Sequence, residues 1–147
     1  DRRSRSSPAK GGPVILDALF DEHATTDGVT VRVVTNFLDE QSSPSQNRWF
    51  WSYHIRIENH RDDPVQLLTR HWKITDGHGG VNHVDGDGVV GEQPLLKPDG
   101  SHDYVSGCPL ATPSGVMEGH YRFIRADGST FLVEIPRFKL VAPATAR

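Results

Sequence analysis

The sequence predicts an all-β protein of about seven strands, folded as two antiparallel sheets that bury their facing sides. Three observations carry this. Apolar side chains recur at every second position in several stretches; Asp-Gly pairs stand between those stretches; and no window of ten or more residues shows a 3.6-residue apolar stripe. The 14 glycines and 10 prolines would interrupt most helices. Many short strands joined by tight turns form a sandwich, with a closed barrel as the second choice.

In chain order, Val14 to Phe20 reads as a first short strand. Val29, Val31, Val33, Thr35 and Phe37 then alternate, and Trp49, Trp51, Tyr53, Ile55 and Ile57 do so most clearly, with Ser52, His54, Arg56 and Glu58 on the other face. Leu68, Trp72 and Ile74 continue the pattern with Arg70 between them, so that Arg70 must reach a sheet edge or find a buried acceptor. Ser101 to Val105 and His120 to Ala126 are shorter strands. Phe131, Val133 and Ile135 form the last, whose phase slips to Phe138 and Leu140 at Pro136 and marks a bulge on an edge. Asp27-Gly28, Asp76-Gly77, Asp99-Gly100 and Asp127-Gly128 read as hairpin turns.

At 147 residues the chain suits one domain, with room for a sizeable core. Residues 1–12 place Arg2, Arg3, Arg5 and Lys10 against Asp1, a local charge of +3 that leaves -6 on the remainder of a chain whose net charge is -3. Serine, glycine and proline surround these cations, so the segment is expected to be a disordered basic arm. Such an arm can contact phosphates, but the acidic body argues against a nucleic-acid partner. The domain itself is expected over residues 13–142, followed by a tail at 143–147. One cysteine, Cys108, excludes an internal disulfide and points to a reducing compartment. No apolar run reaches the length of a membrane span or a signal peptide, so a cytoplasmic location is expected.

The segment from Gly77 to Gly91 holds six glycines in fifteen residues and includes Gly86-Asp87-Gly88-Val89-Val90-Gly91, a literal G-x-G-x-x-G. In a dinucleotide fold that motif opens a helix, whereas Glu92-Gln93-Pro94 follows here. What survives is a loop whose backbone amides could converge on an anion, beside Arg70 and His71, with Gly86, Asp87, Gly88 and Gly91 as contacts. Asp85, Asp87 and Glu92 would repel phosphate unless a cation such as Mg²⁺ intervened, which makes those three the candidate metal ligands and Mg²⁺ the one cofactor the residues suggest. His71, His78 and His83 match no zinc spacing. Ser101-His102-Asp103 are consecutive, so strand alternation points the histidine away from its neighbours and no triad forms. Cys108 in Ser-Gly-Cys-Pro has no base near it in sequence, and Trp49, Trp51 and Trp72 read as core.

The run Pro64-Val65-Gln66-Leu67-Leu68-Thr69-Arg70-His71-Trp72-Lys73-Ile74-Thr75-Asp76-Gly77, followed by Gly86-Asp87-Gly88-Val89-Val90-Gly91-Glu92-Gln93-Pro94, resembles the ApaG domain. Glu40-Gln41-Ser42, Tyr53 to Asn59, Tyr104-Val105-Ser106-Gly107, Thr112 to Tyr121 and Ile135-Pro136-Arg137-Phe138 extend the resemblance in order over roughly residues 14–141. It implies a fibronectin-III-like, immunoglobulin-like β-sandwich and no enzyme activity. Bacterial members are associated genetically with cobalt resistance and magnesium efflux, and often lie beside a diadenosine tetraphosphate hydrolase gene. Eukaryotic members are domains of an F-box protein and of a DNA-polymerase-delta-interacting protein, where a binding role is inferred. Two departures stand out: Pro98-Asp99-Gly100-Ser101 replaces a Pro-Gly-Glu turn, and Val105 replaces a threonine hydroxyl. The expectation is a non-catalytic module for an unidentified protein or a phosphate-containing small anion, and the alternative is a Mg²⁺-dependent nucleotide or pyrophosphate phosphohydrolase.

Overall fold

The computed structural model describes residues 12–147, so the expected basic arm lies outside the described residues except for Gly12. Helix α1 (Gly12–Leu19) precedes nine strands: β1 (Glu22–Thr26), β2 (Val29–Phe37), β3 (Trp49–Asn59), β4 (Val65–Asp76), β5 (Val81–Asp87), β6 (Leu95–Leu96), β7 (Ser101–Leu110), β8 (Ser114–Arg125) and β9 (Thr130–Val141). They form two antiparallel sheets, in the orders β1-β2-β3-β7 and β9-β8-β4-β5, with β6 paired to one end of β4. The predicted sandwich is therefore present, with nine strands rather than seven.

The alternating residues supply the core. Trp51, Ile55 and Ile57 of β3 and Val29, Val31 and Val33 of β2 face Leu67 of β4, Met117, Tyr121 and Phe123 of β8 and Leu140 of β9, and all are essentially sealed from solvent. Tyr53 meets Trp72 edge-on across the two sheets, at 5.5 Å between ring centroids. The slip at Pro136 is a bulge between Ile135 and Phe138 on the edge strand β9. A second bulge, between Leu67 and Thr69, inverts the phase of β4. Val65 and Leu67 point inward before it and Trp72 after it, so Leu68 is not the partner of Trp72 that simple alternation suggests.

Three other expectations are corrected. Val14 to Phe20 is not a strand: α1 spans most of it and lies at the outer face of the four-stranded sheet, where Asp17 meets Arg32 of β2 at 2.5 Å. Seven residues, six of them apolar, give no period by which to separate a strand from about two helical turns, and β1 already occupies the edge of that sheet. The Gly77 to Gly91 segment is not wholly loop, because Val81–Asp87 pairs with β4 as an edge strand. Asp27-Gly28, Asp76-Gly77 and Asp127-Gly128 do connect paired strands, whereas Asp99-Gly100 lies between β6 of one sheet and β7 of the other.

Such crossings are built on buried polar anchors. Asn59 ends β3; its Nδ2 donates to the carbonyls of Asp63 and Leu96, and its Oδ1 accepts from the Arg61 amide. The last residues are docked rather than loose: Ala146 is buried and its carbonyl accepts from Trp49 Nε1 at 2.5 Å. Among the described residues, no helix is long and apolar enough to cross a membrane.

Candidate functional site

The two sides of the sandwich differ. On one, β9 packs beside β1 and β2, and the Glu134 amide donates to Thr26 Oγ1. On the other, β5 ends one sheet and β7 ends the other, and among the described residues neither has an outer partner strand. A cleft of about 490 Å³ opens between them. Tyr53, Trp72 and Met117 floor it, Val84 and Cys108 form the walls, and Arg70 stands at one end. The floor is apolar because Tyr53 lies on the inward face of β3 and Trp72 follows the β4 bulge inward.

The groups facing this cleft are held in definite protonation states. Burial pushes the Cys108 thiol up to about 11, so it is a neutral thiol at physiological pH. Burial likewise raises the Tyr53 phenol, against a lowering contribution from Ser106. Asp76 accepts hydrogen bonds from the amides of Gly80 and His78, which hold its carboxyl below the usual range. Arg70 satisfies the sequence argument for an acceptor at a sheet edge: its Nη1 donates to the carbonyls of Asp87 and Gly88, each at 2.9 Å.

That clamp explains the glycines beside it. A Cβ on Gly86 would stand 2.7 Å from the Arg70 guanidinium carbon. Gly88 has φ +63° and its amide donates to the Leu68 carbonyl, while Val89 and Glu92 exchange backbone hydrogen bonds in a tight turn. These bonds commit the amides of Gly88, Val89 and Glu92 to the fold. Gly91 lies exposed in the same turn with φ +77°. Asp85 and Asp87 share the outward face of β5, and Glu92 lies beyond in the turn. Among the described residues, no three His, Cys, Asp or Glu side chains gather as a ready-made metal cluster.

The outer face of the five-stranded sheet holds a grouping that sequence spacing did not reveal. The β4–β8 register sets His71 opposite His120, and the β4–β5 register sets His71 opposite Asp85 and Lys73 opposite His83. A shallow hollow of about 400 Å³ lies here, lined by His71, Asp85, Asp87, His120 and Arg122 among others. His78 is elsewhere, in the β4–β5 hairpin. His120 could have been found only from the β4–β8 pairing, since 49 residues of chain separate it from His71. Asp103 turns to His54 and Arg56 on the outside of the other sheet, at 2.7 and 2.9 Å, which agrees with the absence of a Ser101-His102-Asp103 triad.

The ApaG domain profile matches residues 39–125. Protein ApaG of Mesorhizobium japonicum is 51% identical over 124 residues, which cover 84% of this chain and 95% of that protein. Protein ApaG of Brucella suis is 48% identical over the same length and the same shares of both chains. The crystal structure of a Bordetella pertussis protein carrying the name ApaA superposes with a TM-score of 0.77 at 46% identity, covering 79% of this chain and 94% of the other. The sequence resemblance, the sandwich and these relatives agree, and the chain belongs to the ApaG domain family.

Proposed function

We propose that the domain is a non-catalytic binding module that takes an extended segment of a protein partner across the open side of the sandwich. The observation that carries this is the pair of free edge strands, β5 and β7, flanking one apolar-floored cleft. A free edge presents backbone donors and acceptors to an added strand, and a pocket beside it sorts the side chains of that strand. The chemistry of the cleft supports binding over turnover: its thiol and phenol are protonated, its carboxylate at Asp76 is held ionised, and its guanidinium is engaged by two carbonyls. A general base poised near neutrality is not among these groups.

The test is selection of binding peptides from a displayed library, followed by NMR. Amides of Val81–Asp87 and of residues 106–110 should shift on addition of a selected peptide, and the exposed-site change Val81→Lys should weaken binding. Shifts of Gly86, Gly88 and Gly91 on adding pyrophosphate with Mg²⁺ would favour a phosphate-containing anion at the glycine-rich turn instead. Hydrolysis of a nucleotide or pyrophosphate by the pure protein, lost on Asp87→Asn, would overturn the non-catalytic reading.

A further inference from the structure

Three imidazole rings lie side by side on the outer face of the five-stranded sheet, away from the cleft. His71 is stacked against His120 on one side, at 5.0 Å between centroids and 24° between planes, and lies edge to edge with His83 on the other, at 5.3 Å and 28°. Asp85 Oδ1 lies 2.5 Å from His71 Nδ1. An ionised carboxylate only accepts, so the proton of neutral His71 sits on Nδ1 and its Nε2 presents a lone pair. That lone pair faces His83 Nδ1 at 3.3 Å.

We propose that His71 Nε2 and His83 Nδ1 are the two protein ligands of a divalent transition-metal site, for an imidazole-seeking ion such as Zn²⁺, with Asp85 positioning His71. Two nitrogens bound tetrahedrally to one zinc ion at about 2.0–2.1 Å stand about 3.3–3.4 Å apart, the separation already present. The Asp85–His71 bond is the carboxylate–histidine arrangement that fixes the tautomer and ring orientation of metal-bound histidines. His120, stacked on the far side of His71, restrains the same ring. Without metal, His83 Nδ1–H donates to His71 Nε2, so proton and metal compete for one lone pair.

The local charge admits a cation. Asp85 and Asp87 on β5, Glu118 on β8 and Glu134 on β9 stand on this face against Lys73 and Arg122, four carboxylates to two cations. Two nitrogen ligands leave the remaining positions to water, so the site is open and exchangeable rather than a structural cage. It faces away from the floor of the proposed peptide cleft, since His71 and Trp72 are successive residues of β4 that point to opposite faces, while His83 and Asp85 lie on β5, the edge strand that borders the cleft.

The experiment is a Zn²⁺ titration of the full chain followed by the imidazole ¹⁵N resonances. The ion should shift His71 Nε2 and His83 Nδ1, saturate at one equivalent and leave His78 and His102 unmoved. His83→Gln should weaken apparent affinity at least about tenfold, and Asp85→Asn by about 10–100-fold, the usual cost of losing an orienting partner. His78→Gln should change nothing. All three substitutions are at exposed side chains, so an unchanged Tm in the absence of metal separates a metal role from a structural one. Wild-type affinity in His83→Gln, equal shifts at the other histidines, or no shift at millimolar Zn²⁺ would each overturn the proposal.

Discussion

Tyr104 of β7 and Tyr121 of β8 share a hydrogen bond between their phenol oxygens, 2.5 Å apart, across the interior from one sheet to the other. Burial raises both phenols, with the Ser106-side neighbour Tyr53 adding to the effect at each, so both are neutral and one donates to the other. Tyr121→Phe leaves the Tyr104 hydroxyl without its partner and is expected to destabilise by about 1–3 kcal/mol. The double change Tyr104→Phe with Tyr121→Phe should cost less than the two single changes together. Urea unfolding of the three variants measures this coupling, and strict additivity would show the bond to be energetically silent.

Glu58 of β3 is the acceptor at the centre of a buried charge network. Burial by itself would raise its carboxyl, but hydrogen bonds from His60 and Arg56 and the charge of Arg32 outweigh that and hold it at about 2. The depressed value means that the native state favours the carboxylate. Its contribution is complete above the ordinary carboxylate range near pH 4.5 and is lost as pH falls toward 2, with an upper magnitude of about 3 kcal/mol. Glu58→Gln should flatten the stability profile between pH 5 and pH 2 and lower stability at neutral pH, because Arg32 is then buried beside a neutral amide. Thermal melts across that range provide the check.

Trp72 carries both the core and the floor of the cleft. It is 3% exposed and meets Tyr53 and Phe138 edge-on. Trp72→Ala should therefore destabilise by about 3–5 kcal/mol, as aromatic truncations in cores do. Chemical denaturation that finds less than 1 kcal/mol would mean that the ring serves a ligand rather than the fold.

Gly88 tests the role of the glycine-rich turn. Its φ of +63° disfavours any L side chain, and a Cβ there would lie 2.2 Å from the Glu92 carbonyl oxygen. Gly88→Ala should lower stability by about 1–3 kcal/mol and loosen the Val89–Glu92 turn. Hydrogen exchange should show the loss of protection concentrated at Gly88, Val89 and Glu92 if the turn alone opens. Gly91→Ala, where φ is +77° but nothing beyond the two adjoining residues lies within 4 Å of the added carbon, should be milder.

Alternation in the sequence determined the sandwich, because a period of two is a local property: Trp51, Tyr53, Ile55 and Ile57 must face one way whatever pairs with them. The turn chemistry of Asp27-Gly28, Asp76-Gly77 and Asp127-Gly128, the bulge at Pro136 and the need of Arg70 for an edge acceptor were legible for the same reason. The family was legible from contiguous motifs. Tertiary structure decided the rest, because register is a relation between distant segments. It made a helix of Gly12–Leu19, whose apolar run is too short to show a period, and a strand of Val81–Asp87, whose single glycine and two acids suit an edge that needs only one partner. The bulge after Leu67 redirected β4, and with it Trp72 into the cleft and His71 outward. Only that register brings His83 and His120 beside His71, from 12 and 49 residues away along the chain.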